Sequence, residues 1–177
     1  MKNKAIFLDR DGVINEDTGY VYKIEDFKII DGVFEALIDL KSVGYLLIIV
    51  TGQSGIGRSY YTEDDYQKLT DYMLNTLSTK GINISKVYYC PHAPEDNCNC
   101  RKPKPGMLEQ AIGEFNIDIS QSWAIGDKLV DIESGKRMGC KTLLIDSKYV
   151  KDHNGFKLKN LKEATQFILN NQNNINL

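Results

Sequence analysis

Ala5-Ile6-Phe7-Leu8-Asp9-Arg10-Asp11-Gly12 is the stretch on which the fold turns. Four apolar residues in a row read as a short buried strand. Gly12, directly after the second aspartate, predicts that the strand ends there in a turn. Two carboxylates two residues apart at a strand tip suit phosphoryl chemistry. One can attack phosphorus while the other handles protons, and both can lie beside a hard divalent cation. A charged turn has the same D-x-D-G pattern, so the motif takes its meaning from what lies downstream.

Beyond Gly12, Val13 to Tyr22 is polar and aromatic with Gly19 in its middle, and reads as an extended loop or small hairpin beside Asp9. Val33, Leu37, Leu40 and Val43 fall at helical spacing over 32–43, and Gly44 stops them. Tyr45 to Val50 is a second buried strand, running into Thr51-Gly52-Gln53-Ser54-Gly55. Thr62 predicts the N-cap of a helix reaching about Lys80, with Tyr66, Leu69, Met73, Leu74 and Leu77 facing inward. Lys86 to Tyr89 is a third strand. A helix follows Pro105, through Met107, Leu108, Ala111 and Phe115. Ser122 to Ile125 is the fourth strand, ending at Gly126-Asp127. A short helix covers 129–138, Lys141 to Ile145 is the fifth strand, and 160–170 is a last amphipathic helix. The polar tail 171–177 is expected to fray.

Strands alternating with helices imply an α/β domain, a Rossmann-like parallel sheet with helices on both faces. Right-handed crossovers place every loop after a strand at one sheet edge, where ligands bind. Asp9, Asp11, Thr51, Lys102 and Asp127 can therefore converge although they are far apart in sequence. No G-x-G-x-x-G follows the first strand and no G-x-x-x-x-G-K-[ST] occurs, which counts against dinucleotide and P-loop enzymes.

The 177 residues suffice for a single domain over 1–177 with a real core. Net charge is −2 with the two signs interspersed, so no nucleic-acid partner is expected. Leu46 to Val50 is too short to cross a bilayer, and Met1-Lys2-Asn3-Lys4 is no apolar signal region, so no membrane association and a cytoplasmic location are expected. A monomer is the expected state.

A phosphoryl-transfer site needs a nucleophile, a proton donor, a metal and positive charge. Asp9 offers the nucleophile, Asp11 the acid and then the base, Asp127 an oxygen ligand for Mg²⁺, and Lys102 the cation. Thr51 offers a hydroxyl donor, and Gly52 and Gly55 let backbone N–H groups approach. Cys90-x-His92 and Cys98-x-Cys100, in a loop over 90–100, offer three thiolates and an imidazole to a closed tetrahedral Zn²⁺ site. The alternative is a loop with free thiols. Standing directly before Arg101 and Lys102, the zinc would stiffen the loop and aim those cations. Cys140 reads as a buried structural thiol and His153 as a surface residue.

The set D-R-D-G, T-x-Q-S-G, R-K-P-K-P-G and G-D-K-L resembles the haloacid dehalogenase superfamily of phosphatases, and within it the heptose-bisphosphate phosphatases, over about Lys4 to Asp146. The resemblance implies a haloacid dehalogenase fold with no large cap domain, a zinc-binding loop, and a small-molecule sugar bisphosphate as substrate. It implies Asp9 as nucleophile, Asp11 as general acid/base, and Mg²⁺ held by the Asp9 and Asp127 side chains and the Asp11 carbonyl. Thr51 and Lys102 would steady the phosphoryl group. Arg101 and Lys128 would recognise the rest of the substrate, with Asp17, Thr18, Gly19 and Tyr20 and with Thr51, Gly52, Gln53 and Ser54. The family usually reads T-N-Q-S-G, whereas this chain has Gly52, which removes an amide side chain beside the phosphate loop. Histidinol-phosphate phosphatases share similar motifs and a similar zinc loop. A non-catalytic phosphate-binding protein on the same fold is the alternative from another class.

Overall fold

The computed structural model describes residues 2–173. Five parallel strands, β1 (Lys4–Leu8), β2 (Tyr45–Gly52), β3 (Lys86–Cys90), β4 (Trp123–Gly126) and β5 (Lys141–Leu144), form one sheet in the order β3-β2-β1-β4-β5. The chain builds outward from β1 on one side, then returns to build on the other. β1 is thus central, with Phe7 opposite both Ile48 and Ala124. The crevice above its carboxyl end is the topological switch point of an open α/β sheet.

Among the described residues six α-helices accompany the sheet: α1 (Val33–Ser42), α2 (Ser54–Gly57), α3 (Glu63–Ser78), α4 (Gly106–Phe115), α5 (Leu129–Arg137) and α6 (Leu161–Asn173). Strand residues alternate between two cores. Ile6, Leu8, Leu47, Ile49 and Ile125 pack with Leu37 and Leu40 of α1, Leu69 and Met73 of α3 and Ile168 of α6. Ala5, Phe7, Ile48, Val50 and Ala124 face the other way, toward Met107, Leu108 and Ala111 of α4. α5 lies on that second face too. It fits because Gly135 has no side chain: a Cβ there would stand 2.8 Å from that of Ala124. The parallel sheet covered on both faces is as expected.

α3 starts at a complete capping box, in which Thr62 Oγ1 accepts from the Asp65 N–H and the Asp65 carboxylate accepts from the Thr62 N–H. One local expectation differs from the structure. The tail expected to fray from 171 instead continues α6 through Asn173, with Asn171 Nδ2 donating to Phe167 O at 2.8 Å; 174–177 lie outside the described residues. The segment 13–22 lies beside the β1 tip as an extended loop, in keeping with its reading. Val13, Ile14 and Val21 are buried in the first core, and Asn15 bridges antiparallel to Ile29. It is therefore anchored beside the β1 tip as part of the fold.

Candidate active site

Asp9 continues β1, its N–H donating to Ile125 O at 3.0 Å, and its side chain is nearly buried. Lys102 reaches it from the segment before α4. Its ammonium donates to Val50 O at 2.9 Å and lies 3.2 Å from Asp9 Oδ1 and 2.5 Å from Asp131 Oδ1. Burial alone would lower the Lys102 pKa, but the Asp131 and Asp9 carboxylates outweigh it and hold the amine above its usual range. The nucleophile candidate thus has a permanent cation beside it.

Asp127 follows β4 and is wholly buried, yet neither of its carboxylate oxygens has a protein hydrogen-bond partner. Burial pushes its pKa up to about 7; Lys128 opposes the shift, while Asp9, Asp131 and Asp17 add to it. The first turn is shaped around this carboxylate. Gly12 has φ +84°, and a Cβ there would stand 2.3 Å from Asp127 Oδ2. Asp9, Asp127 and Asp131 each present an oxygen within 4.8 Å of the others. Buried orphan oxygens in an oxygen-only cluster are the donor set that a hard divalent cation satisfies.

Asp11 is held away from Lys102, in a basic clasp. Its Oδ1 accepts from Arg10 Nε at 3.2 Å, Arg10 Nη2 at 3.0 Å and Asn15 Nδ2 at 2.9 Å. Its Oδ2 accepts from Arg10 Nη2 at 3.0 Å and Gln53 Nε2 at 3.3 Å. Thr51, at the end of β2, is buried and accepts from Gln53 Nε2 at 2.9 Å.

Cys90, His92, Cys98 and Cys100 form the other cluster. The sulfurs are 3.1 to 3.6 Å apart, and His92 Nδ1 lies 3.6 Å from Cys90 Sγ and 3.3 Å from Cys100 Sγ. The cysteines are free, as such spacing requires. A tetrahedron with Zn–S of about 2.3 Å and Zn–N of about 2.0 Å has edges of roughly 3.5–3.8 Å, close to these distances. The loop rests on its neighbours. Gln53 N–H donates to Cys90 O and Gly57 N–H to Pro91 O, both at 2.8 Å, and Lys104 Nζ donates to Cys98 O at 2.8 Å.

A family described as HAD-hydrolase-like matches residues 99–168. A D-glycero-alpha-D-manno-heptose-1,7-bisphosphate 7-phosphatase of Campylobacter jejuni is 49% identical over 168 residues, covering 94% of this chain and 96% of the relative. The chain belongs to the heptose-bisphosphate phosphatases of the HAD-like hydrolases. A D-glycero-beta-D-manno-heptose-1,7-bisphosphate 7-phosphatase of Helicobacter pylori is 46% identical, covering 94% of this chain and 98% of the relative. Among solved structures, D,D-heptose 1.7-bisphosphate phosphatase from B. bronchiseptica, complexed with magnesium and phosphate, matches with TM-score 0.87 at 28% identity. It covers 95% of this chain and 99% of that one.

The residues that a heptose-bisphosphate phosphatase would turn toward its substrate line two adjoining hollows. One is bounded by Asp9, Gly52, Arg101, Lys102, Lys128 and Asp131. The other is bounded by Asp11, Asp17, Gly19, Tyr20, Gly52, Gln53 and Ser54, and again by Lys128. Gly52 and Lys128 are common to both, and a Cβ at Gly52 would meet nothing within 4 Å. Of the residues expected on the substrate side, Thr18 and Thr51 line neither hollow: Thr18 is exposed and Thr51 is buried at the end of β2. Lys128 Nζ lies 3.2 Å from Asp17 Oδ2 and 3.5 Å from Asp127 Oδ1, and 4.3 Å over the ring of Tyr149. Burial lowers its pKa, while the Asp9, Asp127 and Asp17 carboxylates raise it and win.

Asp131 escaped the sequence reading. Its carboxylate ion-pairs with Lys102 and accepts the Lys128 N–H at 3.0 Å, capping α5. The signal was present as a second acid four residues after Asp127, in the first turn of a helix opening at the catalytic edge. Tyr149, on the chain after β5, also escaped, since a lone tyrosine in a polar stretch carries no motif.

Proposed function

We propose that this enzyme removes the 7-phosphate of D-glycero-D-manno-heptose 1,7-bisphosphate through a phosphorylated Asp9. The observation that carries the reading is the buried pair Asp9–Lys102 beside the orphaned Asp127 carboxylate at the sheet's switch point. The Asp9 carboxylate attacks phosphorus, the P–O bond to the C7 oxygen breaks, and that oxygen takes a proton from Asp11. Water then attacks the aspartyl phosphate, Asp11 receives its proton, and phosphate leaves with Asp9 restored. Asp9 and Asp127 side chains, with the Asp11 carbonyl, would hold Mg²⁺, which supplies positive charge to the phosphoryl oxygens. The B. bronchiseptica phosphatase, whose structure is complexed with magnesium and phosphate, supports that choice of cation. Lys102 and the Thr51 hydroxyl stabilise the same oxygens as charge builds on them.

Arg101 and Lys128 both line the first hollow with Asp9 and Lys102, and are the groups that would hold a second phosphate. The setting is cytoplasmic synthesis of a bacterial heptose nucleotide, by a monomer built as one domain. The test is phosphate release from both anomers of the bisphosphate, from a heptose monophosphate and from histidinol phosphate. Preference for a bisphosphate anomer is expected. Preference for histidinol phosphate would replace the substrate, and no release from any ester would remove the enzyme reading. A charged hydrogen bond contributes roughly 1.5–3 kcal/mol. At ~1.4 kcal/mol per tenfold, Arg101→Ala should then cost about 10- to 150-fold in kcat/KM for the bisphosphate. The loss with p-nitrophenyl phosphate, which has no distal phosphate, should be much smaller. Equal losses would assign Arg101 to the reacting phosphate or to the fold.

A further inference from the structure

The T-x-Q-S-G stretch contains a buried amide that no step above uses. Gln53 is 2% exposed, and its side chain touches three groups. Nε2 donates to Thr51 Oγ1 at 2.9 Å and to Asp11 Oδ2 at 3.3 Å, while Oε1 accepts from the Tyr61 hydroxyl at 2.6 Å. Tyr61 comes from the chain between α2 and α3, is 6% exposed, and stacks on Tyr22 with ring centroids 4.9 Å apart. The glycine of the same motif makes room for it: a Cβ on Gly55 would stand 2.0 Å from the Tyr61 ring.

The direction of every bond in this chain follows from its two ends. In this structure Asp11 accepts on both oxygens from Arg10, as it does when ionised and ready to take the proton of water in the second step, and such a carboxylate only accepts, so the face of Gln53 toward it is its NH₂. The carbonyl therefore points at Tyr61, and the Tyr61 hydroxyl must donate. Burial, aided by Asp11 and opposed by Arg10, pushes the Tyr61 pKa up to about 12, so that proton stays in place at neutral pH. The second N–H of Gln53 meets Thr51 Oγ1, which accepts it. The proton of the Thr51 hydroxyl is then free to be donated elsewhere. With the amide reversed, Gln53 Oε1 would take that proton itself and would oppose the Asp11 carboxylate.

We propose that Tyr61 is a positioning residue that fixes the Gln53 amide, so that the Thr51 hydroxyl donates its proton to the transferring phosphoryl group. Tyr61 borders the second hollow beside Gln53 and reaches Thr51 through that one intermediary. The proposal rests on the phosphatase reading but is independent of which sugar is cleaved. It is therefore tested on p-nitrophenyl phosphate, with the Mg²⁺-loaded full chain.

Tyr61→Phe removes one hydroxyl and keeps the ring. Its expected effect is a fall in kcat of about threefold to tenfold, with KM and the melting temperature little changed. Gln53→Ala should lower kcat too, and adding Tyr61→Phe to it should cost nothing more. Gln53→Glu is the decisive variant. It has nearly the same shape and still accepts from Tyr61, yet offers no N–H to Thr51 and opposes Asp11, so it should be less active than Gln53→Ala. Three results would overturn the proposal: unchanged kcat in Tyr61→Phe, a full further loss on the Gln53→Ala background, or Gln53→Glu more active than Gln53→Ala. If the wild-type protein hydrolyses no phosphate ester at all, the phosphatase reading fails first, and that outcome is distinct from these three.

Discussion

Under the proposed mechanism, Asp9 owes its role as nucleophile to its position and its cation. The last strand residue before it, Leu8, is fully buried, and Lys102 fixes one carboxylate oxygen. Asp9→Asn preserves shape and removes the nucleophile, so we expect a folded protein with no measurable turnover; near-normal turnover would sink the covalent mechanism. Asp127 carries a pH signature. Its pKa is raised from the ordinary 3.8 to about 7, mainly by burial. In metal-free protein that shift costs nothing below about pH 4, where the side chain is neutral in both the folded and unfolded states. As pH climbs from about 4 to 7 the unfolded chain ionises while the folded one resists, so stability is lost. Asp127→Asn has no such cost. In chelator it should become more stable than wild type by a few kcal/mol toward pH 7, and the gap should close toward pH 4. Paired melts across that range check this, and a pH-independent gap would contradict it. At this scale the sequence was readable where residues sit in short motifs, as Asp9, Asp11 and Thr51 do. It was opaque where a role depends on a partner distant in the chain. Asp131 has its meaning through Lys102, and Tyr61 through Gln53, and nothing local in either stretch names the partner.

Among the elements, the strand tips and helix starts were legible because their punctuation is local: a glycine after the helical pattern, or Thr62 before Glu63-Asp64-Asp65. Thr62→Ala should cost about 1 kcal/mol of stability, read from denaturant midpoints, since it empties that cap. The segment 13–22 was harder to read. Its buried residues, Val13, Ile14 and Val21, are spaced neither as a helix nor as a strand, and the pairing of 14–16 with 28–30 that anchors it is non-local. The loop from Cys90 to Lys102 has little apolar content of its own, and its form depends on contacts to α2 and α4 and on the thiol cluster. Gly57 and Gly106 admit it closely: a Cβ at either would stand 2.5–2.6 Å from loop backbone atoms. Arg101 Nη1 donates to His92 O at 3.4 Å, which ties the substrate-side guanidinium to a ligand residue. Cys98→Ser should lower the melting temperature, reduce bound zinc and open the segment between Pro91 and Lys104 to proteolysis. It should also hurt turnover of a bisphosphate more than that of p-nitrophenyl phosphate. Metal analysis finding no zinc in wild-type protein purified without chelators would remove this account.

For the whole molecule, the alternation of strands and helices was enough to place five loops on one edge, and the parallel sheet does so. The order β3-β2-β1-β4-β5 was not readable in the same way, because right-handed crossovers permit more than one order. It is this order that sets Asp9 between Thr51 and Asp127, with the two cores behind them as rigid backing. Two metal-suited clusters then share one edge with opposite chemistry. The Asp9–Asp127–Asp131 group is all oxygen and borders an open hollow, so water and substrate can reach it. Mg²⁺ in such a site keeps several waters and exchanges readily. The Cys90–His92–Cys98–Cys100 group presents four soft or borderline donors at tetrahedral spacing and needs no water to close its shell. Brief treatment with a mild chelator should therefore abolish phosphatase activity while zinc stays bound and the melting temperature falls only slightly. Adding Mg²⁺ alone should restore full activity. Stripping zinc with a strong chelator at low pH should instead lower the melting temperature markedly, and Mg²⁺ alone should not restore it. If mild chelation released both metals together, or if Mg²⁺ alone rescued the zinc-stripped protein, the separation of a catalytic oxygen site from a structural thiolate site would be wrong.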